Sequence, residues 1–144
     1  EASSKKKIVQ FYLKNTGNIN NWDLVDVSCP NILGGYLLNK PRQILYKLAK
    51  SKNLWEKRIA IITTLAFIIE KKYEDTLKIA KILLNDKHDL IHKAVGWMLR
   101  EVGKRDEPVL TRFLDQHYKT MPRTMLRYAI ERLSQQKRRY YLGK

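Results

Sequence analysis

The stretch LWEKRIAIITTLAFIIEKK, Leu54–Lys72, decides the fold class. Apolar residues fill nearly every position from Ile59 to Ile69, so that part of the stretch has no polar face. A helix that is apolar almost all round is buried, as it is when neighbouring helices pack on both of its sides. The stretch therefore predicts one continuous helix, Leu54–Lys72, sandwiched between other helices.

Helical periodicity also dominates the rest of the chain, and strand signals are nearly absent. Further helices are predicted over Ser3–Asn15, Asn21–Cys29, Pro41–Ser51, Tyr73–Asn85, Leu90–Lys104, Glu107–Tyr118 and Pro122–Ser134. The sequence thus predicts an all-α fold.

Comparable helix starts recur at Asn21, Leu54, His88 and Pro122, at intervals of 33, 34 and 34 residues. Such a period, filled by two helices each time, is typical of an α-solenoid of the HEAT or TPR type. We expect one domain over residues 1–144, a solenoid of HEAT-like helix pairs with a concave basic face. Because the chain begins without Met in what reads as a helix already under way, we expect it to be part of a longer chain.

The charge of the chain is strongly positive and unevenly spread. Its 144 residues contain 29 Lys and Arg against 14 Asp and Glu, a net charge of +15, with 44% hydrophobic residues. Residues 40–58 and 119–144 are the most basic segments. A field of this size attracts polyanions, with nucleic acid favoured and an anionic membrane second. The alternative is a basic surface that serves only solubility.

Several other classes are disfavoured. The single cysteine, Cys29, cannot form an internal disulfide and favours a reducing, cytoplasmic setting. No apolar run approaches the roughly 18 residues of a membrane span. Neither a Walker loop nor a Rossmann glycine pattern occurs, and Gly34-Gly35 is interpreted as a turn. His88 and His92, four residues apart, could suit a metal, but no third ligand is evident.

The predicted helix Leu90–Lys104 carries a second stripe beside its apolar one. Lys93, Trp97, Arg100 and Lys104 are spaced by four, three and four residues, which places them on one face. An aromatic ring among cations suits contact with the sugars, bases and phosphates of nucleic acid. The alternative is that Trp97 packs on the adjacent repeat while the cations extend to solvent.

The stretch NNWDLVD, Asn20–Asp26, places Trp22 and Asp26 one helical turn apart. Asp23 lies near the helix start, where a carboxylate interacts favourably with the helix dipole. Asp26 lies too far along the helix for that role. It could form a salt bridge with Arg58 or serve a cationic centre within a bound polyanion, and Arg58 could instead hold a phosphate.

Four segments carry a resemblance to a known family: NNWDLVD, LWEKRIAI, IHKAVGWMLREVGKRD and MPRTMLRYAIERL. Together they resemble the AlkD-like alkylpurine DNA glycosylases, DNA alkylation repair enzymes built of HEAT-like repeats. Members of that family are longer at the N-terminus, so the resemblance implies that N-terminal repeats are missing from this chain. The resemblance implies excision of positively charged N-alkylated purines, of the 7-methylguanine and 3-methyladenine class, from double-stranded DNA. It further implies a monofunctional hydrolase of the N-glycosidic bond in base excision repair, with no metal or organic cofactor.

The resemblance also implies roles for individual residues. Asp26 would be the catalytic carboxylate, Trp22 and Trp97 would pack against the damaged nucleotide, and Arg58 and Arg100 would hold phosphates. Since an alkylated purine is already positively charged, it can leave without a general acid, unlike an ordinary sugar leaving group. One ionised carboxylate then suffices to stabilise an oxocarbenium-like sugar and position water.

Two non-enzymatic alternatives stay open at this stage. The chain could be a non-catalytic HEAT-like module that binds distorted or branched DNA, or a solenoid that binds an acidic protein. We expect a monomer with no obligate protein partner, associated with the nucleoid.

Overall fold

The computed structural model describes residues 29–143, with side-chain surroundings from residue 32 onward. The predicted helices over Ser3–Asn15 and Asn21–Cys29, the latter except for its last residue, lie outside this range, as do Trp22 and Asp26. Between residues 29 and 143 the chain forms helices and connecting turns without a strand. The all-α class is confirmed.

The described chain begins with a π-helical turn, Cys29–Gly34, that continues directly into α1, Gly35–Leu37. The interpretation of Gly34-Gly35 as a turn is therefore wrong, because Gly34 adopts ordinary helical angles of φ −62° and ψ −44°. The remaining helices are α2 Gln43–Ala49, α3 Leu54–Thr63, α4 Leu65–Ile69, α5 Glu74–Leu83, α6 Asp89–Arg105, α7 Glu107–His117, α8 Arg123–Ile130 and α9 Gln135–Leu142.

The helix predicted over Leu54–Lys72 is divided at Thr64. The Thr64 hydroxyl donates a hydrogen bond of 2.6 Å to the Ile61 carbonyl, and the Thr64 backbone N–H donates to the same oxygen at 3.1 Å. That N–H therefore reaches three residues back instead of four, which tightens the turn and ends α3. The predicted burial holds for the interior of the stretch, since every side chain from Arg58 to Thr64 is buried.

The end of α4 has a hydrogen-bonding pattern usually built around glycine. Lys71 lies in the left-handed region with φ 60°. Its N–H donates to the Ile68 carbonyl at 2.9 Å, and the Lys72 N–H donates to the Phe67 carbonyl at 2.8 Å. This pair of bonds is a Schellman motif, which satisfies carbonyls that the helix end would leave without donors.

The last helix, α9, was not predicted. Residues 135–142 are mostly charged or polar and show no apolar stripe. Local signals nevertheless mark both ends of the helix. The Ser134 hydroxyl accepts a hydrogen bond from the Lys137 N–H at its start, and Gly143 follows its last turn with φ 76°. Tyr141 is buried and joins α9 to the core.

Three helices that start at similar intervals lie next to one another. α3, α6 and α8 begin at Leu54, Asp89 and Arg123, 35 and 34 residues apart, close to the predicted period. α3 packs against α6, and α6 packs against α8, while α5 and α7 also contact α6. Helix α6 is therefore the centre of the described fold. Curvature of the whole chain and a concave basic face stay predictions.

Candidate nucleic-acid interface

Helix α6 separates an apolar face from a face with cations. Its N-terminus is fixed by His88, whose Nδ1 accepts a hydrogen bond of 3.1 Å from the Leu90 N–H. The buried face contains Ile91, Ala94, Val95, Gly96, Met98, Leu99 and Val102. The predicted second stripe lies beside this face: Trp97 is half-buried and packs against the core, while the cations keep partial exposure.

Most of the predicted stripe meets at one cavity. The cavity has a volume of ≈ 380 Å³ and lies where α3, α6 and α8 come together. Its lining residues are Arg58, Leu90, Lys93, Trp97, Arg100 and Tyr128. The structure thus brings Arg58, Lys93, Trp97 and Arg100 together, although Arg58 is more than 30 residues away from the others in sequence.

Tyr128 is a site residue that the sequence reasoning missed. It reaches the cavity because α8 packs very closely on α6 at Gly96. An ideal Cβ at Gly96 would lie 2.5 Å from the Tyr128 Cβ and 2.7 Å from the Met125 carbonyl oxygen. The glycine before Trp97 was the available signal, since a glycine inside a helix often marks close approach of another backbone.

Arg58 is a nearly buried member of the cavity lining. Its side chain is only 5% exposed, and its Nη1 donates a hydrogen bond of 2.7 Å to the Leu90 carbonyl. This bond links α3 to the first turn of α6. A guanidinium fixed in this way presents its donors from a defined position, which suits recognition of an anionic oxygen.

The other two cavity cations each have a carboxylate partner. Lys93 lies 3.0 Å from Asp89 one turn earlier, and the hydrogen bond and charge of Asp89 raise the Lys93 pKa. Arg100 forms an ion pair with Glu131, which follows α8 and is largely exposed. A phosphate that binds Arg100 must therefore compete with Glu131.

Lys104 lies apart from the cavity. It is not among the lining residues, and its Nζ is 3.2 Å from Glu101 on the same helix. Trp22 and Asp26 lie outside the described residues, so their positions relative to Trp97 stay predictions.

The two histidines considered as metal ligands have structural contacts. His88 caps α6, and the His92 ring contacts the Asp86 carbonyl. Between residues 29 and 143 no cluster of three His, Cys, Asp or Glu side chains could hold a metal ion. Over the same residues, no helix combines the length and apolarity that crossing a bilayer requires.

Comparison with known proteins identifies the family. No curated protein sequence matches the chain significantly. A family model does match, over residues 1–133, which includes every cavity residue and the NNWDLVD stretch. The chain belongs to the DNA alkylation repair enzyme family.

Proposed function

We propose that the protein is a monofunctional DNA glycosylase of base excision repair. Its substrates are positively charged N-alkylated purines, of the 7-methylguanine and 3-methyladenine class, in double-stranded DNA. The observation that carries the proposal is the cavity, in which the Trp97 ring lies among Arg58, Lys93 and Arg100. An apolar ring surrounded by cations suits a nucleotide, whose sugar packs on the ring while its phosphates meet the cations.

The chemistry needs one carboxylate. The bond between the sugar C1′ and the purine nitrogen breaks, and its electron pair neutralises the positive charge of the leaving base. Asp26 stabilises the oxocarbenium character at C1′ and orients a water molecule toward it. The water oxygen bonds to C1′, and its proton leaves through the carboxylate to solvent. An interaction of this kind contributes about 3–4 kcal/mol to lowering the barrier.

The aromatic residues and cations bind and orient the nucleotide. The π faces of Trp22 and Trp97 turn toward the positive sugar and favour its charged transition state. Arg58 and Arg100 hold flanking phosphates, with Lys93 and Lys104 adding longer-range attraction to the duplex. In this proposal the protein acts as a monomer and without metal or organic cofactor.

The test is excision by the 144-residue chain from a duplex that contains one 7-methylguanine. The parent is expected to release the base and leave an abasic site. Asp26→Asn is expected to lose excision by about a hundredfold or more. It should bind the duplex as tightly as the parent or more tightly, because the substitution removes a negative charge.

A second variant serves as the matched control. Asp23→Asn removes an equal charge from the same stretch, and it should retain excision because Asp23 is predicted only to favour the helix start. Equal loss of binding and excision in a folded Asp26→Asn protein would contradict the catalytic role. Tight duplex binding by the parent without any base release would favour the non-catalytic module that binds distorted or branched DNA.

A further inference from the structure

Three tyrosines that are not part of the cavity lining form an aromatic cluster near the C-terminal end of the described chain. Tyr118 follows α7, and Tyr140 and Tyr141 belong to α9. The ring centroid of Tyr140 lies 5.7 Å from that of Tyr118 and 5.1 Å from that of Tyr141. Tyr141 is buried and donates a hydrogen bond of 2.8 Å to Asp115. Two fixed neighbours thus support the Tyr140 ring.

Tyr140 itself is strongly exposed. Its side chain is 62% accessible, the highest value among the large hydrophobic residues that the structure describes as exposed. Supporting contacts reduce the side-chain freedom that a bound ligand would have to restrict. The ring is therefore an already oriented surface on which another flat group could stack.

Cations surround this cluster. Lys119 Nζ lies 5.9 Å from the Tyr118 ring centroid, and Arg123 Nη2 donates a hydrogen bond of 2.7 Å to the Leu142 carbonyl at the end of α9. Arg139 is exposed and directly precedes Tyr140. Over residues 29–143, none of these three cations forms an ion pair with a carboxylate.

The contrast with the cavity is informative. There, Lys93 and Arg100 are both paired with carboxylates, whereas Lys119, Arg123 and Arg139 have no carboxylate partner among the described residues. Helix α9 also lies beyond the residues that match the family, which end at 133. The part of the cluster on α9 therefore lies outside the family match, whereas Tyr118, Lys119 and Arg123 lie within it.

We propose that Tyr140, with Tyr118, Lys119, Arg123 and Arg139, forms a second DNA site that binds an unpaired nucleotide of a single-stranded segment. The base stacks on the Tyr140 ring, and the adjoining phosphates contact the cations. Stacking on tyrosine combined with a basic surface is the usual means of binding single strands without sequence preference. A base inside an intact duplex has both faces covered, so it could not use this ring.

The experiment compares two undamaged DNA molecules by fluorescence anisotropy at one salt concentration. One is a blunt duplex, and the other is the same duplex with a short single-stranded extension. The parent should bind the extended duplex about tenfold more tightly, the scale expected when one base stacks on an aromatic side chain. Tyr140→Ala should abolish this difference, and Tyr140→Phe should retain it because the ring remains.

Two controls match the variants. Ile69→Ala truncates another exposed large apolar side chain, on α4, and should retain the preference for the extension. Arg139→Ala should weaken binding of the extended duplex more than Lys72→Ala does, although each variant loses one charge. Since Tyr140, Ile69, Arg139 and Lys72 are all exposed, their substitution leaves the core intact, and thermal melting checks this.

Equal affinity of the parent for the two DNA molecules would overturn the proposal, as would an unchanged preference in Tyr140→Ala. Tighter binding to vesicles with anionic phospholipid than to the extended duplex, lost in Tyr140→Ala, would assign the cluster to a membrane surface instead. Because the DNA is undamaged, the result does not depend on excision. Failure here and failure of the proposed glycosylase are therefore distinguishable.

Discussion

The absence of a side chain at Gly96 determines how closely α8 approaches α6, and with it where Tyr128 lies in the lining of the cavity. A Cβ at this position would meet a side-chain Cβ and a backbone oxygen, neither of which can rotate away. Adding a methyl group to so tight a contact forces the helices apart. The position of the cavity wall thus depends on one missing methyl group.

We expect Gly96→Ala to lower the free energy of unfolding by about 1–3 kcal/mol, the usual cost of overpacking. Gly35→Ala is the matched control, because a Cβ there would have nothing within 4 Å. Since Gly35 is helical, its replacement should raise stability by about 0.5–1 kcal/mol. Urea unfolding measures both, and equal effects of the two substitutions would contradict the close contact.

Asp86 fixes the start of α6 to α3. Its Oδ2 lies 2.5 Å from Lys57 Nζ, and its Oδ1 accepts a hydrogen bond of 2.8 Å from the His88 N–H. Burial raises the Asp86 pKa, but the hydrogen bonds from Lys57 and His88 and the positive charge of Lys57 lower it more, so the pKa lies below its ordinary value. A pKa lowered in the folded state means that the ionised carboxylate stabilises the fold.

Asp86→Asn should therefore reduce the free energy of unfolding at pH 7 by about 1–3 kcal/mol, since Lys57 loses its charged partner. The difference from the parent should stay constant down to about pH 5 and shrink as the pH falls through the folded-state pKa of Asp86. Urea unfolding across this range checks the prediction. A difference that persists unchanged at the lowest pH would contradict an electrostatic origin.

Several residue positions could be predicted from the sequence, because they depend on local spacing. The stripe that contains Trp97 followed from helical periodicity, and α6 has that stripe. The ion pair of Arg100 with Glu131 could not be predicted, since it joins residues 31 positions apart through the packing of two helices. Tyr128 was missed for the same reason: its place at the cavity depends on α8 approaching Gly96.

Among the helices, α4 is closely followed by Lys71, whose backbone has a positive φ that glycine adopts more easily than lysine. Lys71 adopts left-handed angles that cost a non-glycine residue roughly 1–2 kcal/mol. We expect Lys71→Gly to raise the free energy of unfolding by about 1 kcal/mol, with the Schellman hydrogen bonds retained. Lys72→Gly is the control and should destabilise, because Lys72 does not have a positive φ. Thermal melting of both variants measures the effects. If Lys71→Gly does not stabilise the protein, the backbone at Lys71 is not strained.

The ends of helices could be predicted where the apolar residues have a clear period. They could not be predicted where a hydrogen bond of a single side chain ends the helix. α6 and α7 agree with the sequence to within about one residue at each end, because their apolar stripes are regular. The break at Thr64 could not be predicted, because the hydrogen bond from the Thr64 hydroxyl to the Ile61 carbonyl leaves the apolar pattern of the sequence unchanged. Helix α9 could not be predicted from an apolar stripe, because it is mostly exposed and Tyr141 is its buried residue.

At the scale of the whole molecule, the net charge of +15 does not describe the charge at the cavity, because it does not say where the carboxylates lie. Glu131 pairs with Arg100, and Asp89 pairs with Lys93. Composition predicts that a polyanion is attracted, but it cannot predict which cations are already paired. The distribution of ion pairs is a property of the folded chain.

Glu131→Gln should release Arg100 and tighten binding to duplex DNA. The gain arises because a phosphate no longer competes with Glu131 for Arg100, whereas Arg100→Ala should reduce the slope of log affinity against log salt by about 0.9. Glu70→Gln is the matched control, since it removes the same charge from an exposed position after α4. Anisotropy titrations over a salt series measure the slopes. Equal gains in affinity for the two variants, or an unchanged slope in Arg100→Ala, would contradict a phosphate contact at Arg100.

The close contact of α8 with Gly96 also affects whether the protein or the DNA would change shape when the two bind. Two helices whose backbones already touch cannot approach further, and separating them exposes buried apolar side chains to water. This wall of the cavity is therefore stiff. In the proposed complex, a duplex that does not fit this wall would have to bend or unstack, at a cost that depends on its sequence and on how far damage has weakened its stacking. Discrimination between intact and damaged DNA would then arise from differences in the stiffness of the DNA.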